Sequence, residues 1–146
     1  MNIGVIRHLY FDKEIKMFYV KRLTKGDDLK KEIEQLFYEN KLSAAVVLSG
    51  VGCLNHVEIR LAKGKDYFIK DDDYEIISIN GTISKDGSHI HIGLSDCKGN
   101  TIGGHLCYNC KVNTTCELVI QSIDSYRFTR EYDDLTGYKE IVFEKE

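Results

Sequence analysis

Proline is absent from the 146 residues of this chain. Its absence excludes proline-rich linkers and PxxP recognition segments, which depend on the polyproline helix. It also excludes a basic DNA-binding hook built around an Arg-Gly-Arg-Pro core. Neither of these short binding devices is therefore part of the chain.

An excess of positive charge is also missing. Lys and Arg number 20 against 23 Asp and Glu, so the formal net charge is −3 at pH 7. A protein that binds nucleic acid mainly through its charge is expected to carry a basic domain, so this balance weighs against that class. Basic residues nevertheless gather near the N-terminus and on the first predicted helix: Lys13, Lys16, Lys21, Arg22, Lys25, Lys30 and Lys31. For Lys30 and Lys31 we favour a solvent-exposed helix face.

Long hydrophobic runs are missing too, since no segment approaches the ~18 consecutive apolar residues that a membrane-spanning helix needs. The first eight residues lack the basic start, apolar stretch and small-residue cleavage site of a secretory signal. The five cysteines are an odd number, and a chain of this length does not depend on disulfides. We expect a soluble, cytoplasmic protein with no membrane partner.

Helical periodicity is strong in one segment, residues 28–40, where Leu29, Ile33 and Leu36 recur on one face. Thr24 or Asp27 is the expected N-cap. Alternating or β-branched residues predict strands over 17–23, 44–48, 57–61, 66–70, 74–83, 88–94, 101–106, 116–124, 126–132 and 141–144. One helix among many strands predicts an α+β fold with a mostly antiparallel twisted sheet and one principal packed helix.

Glycine and acidic clusters are expected to separate some of these strands. Residues 49–52, Ser-Gly-Val-Gly, should end one strand, and the acidic residues 71–73 should form a turn. We expect residues 1–16 to be an N-terminal lead-in and residues 17–146 to form a single domain.

Three histidines are the strongest candidates for chemistry. His89 and His91 stand two apart on a predicted strand, so their side chains share one face, and His105 follows Gly103 and Gly104 on the next strand. Three imidazoles from adjacent strands can bind one metal ion. The two glycines would allow close backbone approach and leave room for a bound species. The spacing alone is equally consistent with histidines on a solvated face that bind nothing.

Cys107 and Cys110 have CxxC spacing, with Cys116 six positions further on. A structural zinc site or a redox pair needs a second CxxC or a thioredoxin-like context, and both are missing, so we favour buried apolar cysteines. No nucleophile elbow or phosphate-binding loop is present, and no catalytic residue can be named. Glu75 and Asp96 are candidates for a base beside a metal, although for Glu75 we favour a salt bridge between subunits. The sequence favours a binding protein over an enzyme.

Several spaced motifs together resemble the plants and prokaryotes conserved domain (PPC, also abbreviated PCC). They are residues 74–83, His89-Ile90-His91, Gly99 and Gly103-Gly104-His105-Leu106, supported by residues 49–54, 128–130 and 134–137. The resemblance extends from about Phe18 to Phe143. It implies a mainly antiparallel sheet with one packed helix, assembled as a homotrimer.

The resemblance also implies a function. Prokaryotic members are usually the domain alone and are described as DNA-binding proteins, whereas plant AT-hook nuclear-localised proteins use the domain for self-association and partner binding. Prokaryotic members with HxH and GGH motifs look like metal binders, which places zinc or another divalent transition metal on His89, His91 and His105.

We therefore expect a trimeric, DNA-binding regulatory protein of this family with a metal site. One alternative is a zinc-dependent small-molecule-binding protein or enzyme that uses the three histidines, and another is a trimeric protein-interaction scaffold. Three copies at −3 carry −9, so DNA binding would need a strongly segregated basic face.

Overall fold

A computed structural model describes residues 17–146 of the chain. The predicted lead-in, residues 1–16 with Lys13 and Lys16, lies outside the described residues. The elements, in order, are β1 (Phe18–Thr24), α1 (Leu29–Glu39), β2 (Ala45–Arg60), a short 3₁₀ turn (Ala62–Gly64), β3 (Tyr67–Ser84), β4 (Gly87–Ser95), β5 (Thr101–Leu106), β6 (Lys111–Ser122), β7 (Tyr126–Asp133) and β8 (Tyr138–Lys145). Over this part of the chain, no helix has the length and apolar character that crossing a membrane requires.

Six strands form one antiparallel sheet in the order β1-β6-β2-β3-β4-β5. The sheet curls back on itself, because the end of β2 also pairs with β5, where Ile59 faces Leu106 and Arg60 faces His105. Strands β7 and β8 form a separate hairpin. This architecture confirms the predicted α+β fold with a mostly antiparallel sheet and one principal helix.

Two predicted breaks are wrong, because β2 and β3 each run through them as a long continuous strand. The glycines of residues 49–52 permit close strand packing, since a Cβ at Gly52 would overlap the Thr115 carbonyl oxygen of β6. The acidic residues 71–73 also stay in β3, where Asp71 is the cross-strand partner of His56 and Asp73 accepts a hydrogen bond from the Asn113 side chain.

The N-cap of α1 is Asp28, so the predictions of Thr24 and Asp27 are wrong. The Asp28 side chain accepts a hydrogen bond from the Lys31 amide at 3.2 Å, as an N-cap does. The Asp27 carboxylate is instead turned back to the Thr24 amide, 2.7 Å away. Asp27 therefore closes the turn after β1 rather than beginning the helix.

The helix buries its apolar stripe against the sheet, and Leu29, Ile33 and Phe37 belong to the core. Lys31 is exposed as predicted, but the prediction for Lys30 is wrong, because that side chain is only 8% exposed. Its Nζ lies over the ring of Tyr108, 4.8 Å from the centroid, so its charge is used in a cation–π contact within the protein.

The face of the sheet opposite α1, called the outer face below, carries the candidate site. Directly paired residues of neighbouring antiparallel strands share a face. The register therefore places one row of side chains across the outer face from β1 to β4: Phe18, Gln121, Val46, Thr82 and His89. The histidines of β4 and β5 thus lie on the same face as the exposed side of β1.

Candidate metal centre

The structure brings the three predicted histidines together on the outer face. His91 of β4 is the direct cross-strand partner of His105 of β5, and His89 lies two residues before His91 on the same side of β4. One ligand nitrogen from each of the three lies within 4.8 Å of the others. Adjacent strands fix this convergence, because each imidazole leaves the sheet in the same direction.

The nitrogen spacing fits a shared cation. His89 Nε2 and His91 Nε2 are 3.2 Å apart. Two ligands on a tetrahedral zinc ion, each about 2.1 Å from the metal, would be separated by about 3.4 Å. The imidazoles are thus close to the positions that a bound ion requires, and three such ligands leave a coordination position open for a further group.

The electrostatics favour neutral imidazoles, the form that binds a metal, at His89 and His105. Burial lowers the pKa of His105 to about 4, and the charges of Arg60 and Lys30 act in the same direction. Burial and the neighbouring His91 also lower the pKa of His89. His105 Nδ1 is buried and has no hydrogen-bond partner among residues 17–146, and a metal bound through this nitrogen would supply the missing partner.

Close backbone packing explains the two glycines before His105. A Cβ on Gly104 would lie 2.5 Å from the Arg60 carbonyl oxygen, and one on Gly103 would lie 2.8 Å from the Ile92 carbonyl oxygen. Both distances are shorter than real Cβ contacts, so only glycine lets β5 pack between β4 and the end of β2. The predicted close approach is therefore confirmed.

A cavity of about 280 Å³ opens beside His89 and His105. The β7–β8 hairpin supplies one of its walls, where Arg130 Nη2 donates to Thr82 Oγ1 at 3.3 Å. The residues lining the cavity are Arg60, Asp86, Gly87, Ser88, His89, His105, Arg130, Tyr138, Lys139 and Glu140. Sequence reasoning missed its two arginines as site residues, since no motif links Arg60 and Arg130 to the histidines and only the topology brings them there.

A buried carboxylate supports the site from the helix side. Glu34 of α1 is 8% exposed and accepts hydrogen bonds from Ser88 Oγ and Tyr108 OH, each at 2.6 Å. The bond to Glu34 is the main reason that the pKa of Tyr108 rises to about 12, so the phenol stays a donor. Glu34 thereby ties α1 to the residue immediately before His89.

The other candidate residues lie elsewhere. Cys110 and Cys116 are fully buried, as predicted, whereas Cys107 is only half-buried. Burial raises the pKa of the Cys110 thiol to about 12, which opposes the thiolate that a metal or redox site needs. Asp96 holds its own turn by accepting from Lys98 and Asn100, and Glu75 is exposed on β3. Among the described residues, the three histidines are the one group of three or more His, Cys, Asp and Glu that could hold a metal.

Comparison with curated proteins finds the Bifunctional protein GlmU of Synechococcus sp. (strain JA-3-3Ab), which is 39% identical over 127 residues, or 87% of this chain. The chain spans about a fifth of the length of the curated relatives it matches, 20% of GlmU itself.

Solved structures share the fold. A hypothetical protein from Salmonella enterica has a TM-score of 0.85 at 32% identity, covering 89% of this chain and 94% of that one. A metal-containing protein from Archaeoglobus fulgidus has a TM-score of 0.72 at 27% identity, covering 86% and 93%. A protein from Ralstonia eutropha, provisionally assigned to DNA binding, has a TM-score of 0.76 at 21% identity, covering 85% and 90%, which shows a common fold.

The family match is extensive. The Plants and Prokaryotes Conserved (PCC) domain matches residues 10–124, which begins before β1 and ends just after β6. This range includes all six strands of the curled sheet, the helix and the three histidines. The chain therefore belongs to the PCC domain family.

Proposed function

We propose that the protein binds a divalent transition metal ion, zinc in the first place, through His89, His91 and His105, and that it binds a small molecule at the open coordination position. The observation that carries the proposal is the convergence of three imidazole nitrogens within 4.8 Å of one another on paired strands. The metal-containing relative from Archaeoglobus supports it independently. Imidazole suits zinc and its neighbours in the first transition row.

The three histidines are the proposed metal ligands, and the strands position each of them. His91 and His105 are held opposite each other by the β4–β5 pairing, and His89 completes the set from the same strand face. The low pKa of His105 keeps its imidazole neutral and ready to bind at pH 7. A bound zinc would act as a Lewis acid towards a ligand at the open position.

The test is metal content and affinity. The purified chain is stripped with a chelator and titrated with zinc, and we expect one ion per chain for the wild type and none for the triple variant His89→Ala, His91→Ala, His105→Ala. His56→Ala is the matched control, because His56 lies outside the cluster with its ring bonded to Asp71 and Glu58. Zinc binding that survives the triple substitution, or is lost with His56→Ala alone, would refute the proposal.

DNA binding is the second proposed function, supported by the provisional assignment of the Ralstonia protein. The positions of the free basic side chains restrict where a DNA-binding surface can lie. Lys21 is paired with Glu32 at 2.5 Å, and Lys30 is buried, so neither lysine is available to a phosphate. The cations that remain available at this end of the described chain are the exposed Arg22, Lys25 and Lys31. Association of several copies would have to gather these cations on one face.

Salt titration tests this second function. A phosphate-contacting protein should lose orders of magnitude in affinity for labelled duplex DNA between about 50 and 200 mM salt. The charge reversal Lys25→Glu with Lys31→Glu should abolish binding, whereas Lys145→Glu, an exposed lysine in β8, should not. Absence of binding at the lowest salt, or equal binding by all three proteins, would exclude this DNA surface.

We also propose that the chain assembles with itself, as a homotrimer, through the outer face. Val20 of β1 is 71% exposed and Val51 of β2 is 59% exposed, and both point from this face. Exposed apolar side chains gathered on one sheet face are typical of an interface. Light scattering should give a trimer mass for the wild type and a smaller one for Val51→Lys, while Leu135→Lys, exposed at the hairpin turn, should leave the mass unchanged.

Residues 17–146 are proposed to form one domain that includes the β7–β8 hairpin. The Phe128 amide donates to the Ser43 carbonyl at 3.1 Å, and the ring of Phe128 is buried. Together with the Arg130–Thr82 bond, this contact anchors the hairpin to the sheet. Calorimetric unfolding should therefore give a single transition.

A further inference from the structure

The wall of the cavity beside the histidines carries two arginines, one from the sheet and one from the hairpin. We propose that the small molecule at the metal centre carries an oxyanion, a carboxylate or phosphate group, which is held between Arg60 and Arg130. This inference rests on the proposed metal site, since the metal would supply the remaining positive charge.

Arg60 is placed by the closure of the sheet. It is the direct cross-strand partner of His105, so its side chain leaves the sheet beside that ligand on the same face. Its guanidinium lies 6.0 Å from the ring centroid of Tyr138, which gives it an aromatic support from the hairpin. Arg60 is therefore directed into the cavity rather than towards solvent.

Arg130 is placed by the hairpin. Its backbone amide donates to Asp86 Oδ2 at 3.0 Å, and its guanidinium donates to Thr82 Oγ1 at 3.3 Å and to the Lys139 carbonyl at 3.5 Å. Thr82 is in turn the cross-strand partner of His89, so Arg130 lies near His89, whereas Arg60 lies beside His105. These bonds use two of the five N–H donors of a guanidinium.

The charge around the cavity favours an anion. Arg60, Arg130 and Lys139 line it with Asp86 and Glu140, an excess of one positive charge before any metal is bound. Neither Arg60 nor Arg130 forms a carboxylate salt bridge within residues 17–146, whereas Arg127 of the same hairpin pairs with Glu146 at 3.0 Å.

A divalent ion on the histidines would add two charges directly beside the two arginines. Guanidinium groups bind carboxylates and phosphates through paired N–H donors, the most directional form of such recognition. The cavity of about 280 Å³ has a volume that suits a small molecule.

The experiment titrates the zinc-loaded protein by calorimetry with three probes of similar size. Phenylphosphonate and benzoate carry an oxyanion, and benzamide is their neutral counterpart. We expect at least one anion to bind about tenfold or more tightly than benzamide, since a hydrogen bond to a charged group contributes a factor of that order. The tighter of the two anions identifies the ligand group as phosphate or carboxylate.

Variants locate the binding. Arg60→Gln and Arg130→Gln should each weaken anion binding by about tenfold or more while the protein still holds one zinc ion. Arg130→Lys keeps the charge and should retain part of the affinity, which separates loss of charge from a misplaced hairpin. Arg127→Gln is the matched control and should bind the anion as the wild type does.

The outcomes separate this inference from the proposed function. A chain that takes up no zinc would refute the metal site itself. Zinc-loaded protein that binds benzamide as well as the anions, that binds neither anion, or that binds them unchanged after both arginine substitutions would overturn the oxyanion site alone.

Discussion

Arg60 and His105 lie directly opposite each other where the end of β2 pairs with β5. Together with the pairing of Ile59 and Leu106, this pairing closes the curled sheet, and it puts a cation beside a metal-ligand candidate. The same closure half-buries His105, which together with the charge of Arg60 brings the pKa of its imidazole to about 4. The register between β2 and β5 thus determines how the sheet closes, where His105 lies and which positive charge enters the cavity.

Loss of a single histidine should weaken metal binding strongly. Removal of hydrogen-bond partners around a metal ligand typically costs about 10–100-fold in affinity, so replacing a ligand itself with alanine should cost more than about 100-fold. We expect this for His91→Ala and for His105→Ala, measured by competition with a chromophoric chelator. An affinity within a few-fold of wild type in either variant would show that the residue is not a ligand.

The stability of the metal-free protein should depend on pH through His105. Its folded pKa of about 4 lies below the ordinary value of about 6.5, so the unfolded state binds more protons between these values. The neutral, buried His105 therefore contributes fully to the stability of the folded protein above about pH 6.5, and this contribution is lost as the pH falls towards 4. Urea unfolding at pH 7 and pH 5 should show a smaller drop in stability for His105→Gln than for wild type, and equal drops would contradict the pKa.

Gly104→Ala should disturb both the fold and the site. The new Cβ would lie 2.5 Å from the Arg60 carbonyl, and overpacking of this kind costs about 1–3 kcal/mol of unfolding free energy. Zinc affinity should fall as well, because β5 carries His105. Gly26→Ala is the comparison. The positive φ of 92° at Gly26 adds backbone strain, but no heavy atom of residues 17–146 beyond its two chain neighbours lies within 4 Å of the added Cβ, so stability should fall while zinc affinity stays unchanged.

The contributions of Ser88 and Tyr108 to stability should depend on each other, because both side chains donate a hydrogen bond to the buried Glu34 carboxylate. Ser88→Ala or Tyr108→Phe removes one donor from a carboxylate that is shielded from water, which should cost about 1–3 kcal/mol. Because both donors serve one acceptor, the double variant should deviate from additivity by at least about 0.5 kcal/mol. Tyr132→Phe, at an exposed tyrosine of β7, is the control. Additive losses in urea unfolding, or a loss as large in this control, would contradict this role for Glu34.

Much of the fold could be predicted from the sequence because its patterns are local. The helix around Leu29 and Ile33 follows from 3.6-residue periodicity, and β5 was predicted with the bounds it has. The continuity of β2 could not be predicted in this way. Gly52 resembles a strand break in sequence, and its need for close packing against Thr115 depends on a strand that lies about sixty residues further along the chain.

The candidate site likewise has a part that the sequence predicts and a part that it does not. Strand geometry groups His89 and His91, the next predicted strand offers His105, and the resemblance to the PCC family then favours a metal site over a solvated face. Arg130 belongs to no motif with them and reaches the cavity only because the hairpin folds onto Thr82. Cooperation between such distant residues depends on tertiary packing, for which a single sequence carries no local signal.

Anomalous X-ray diffraction at the zinc absorption edge, on crystals of the zinc-loaded protein, shows directly which side chains hold the ion. We expect one strong anomalous peak per chain, about 2.1 Å from a ring nitrogen of each of His89, His91 and His105. A peak bound elsewhere, or no peak at these histidines in fully loaded protein, would contradict the proposed metal site.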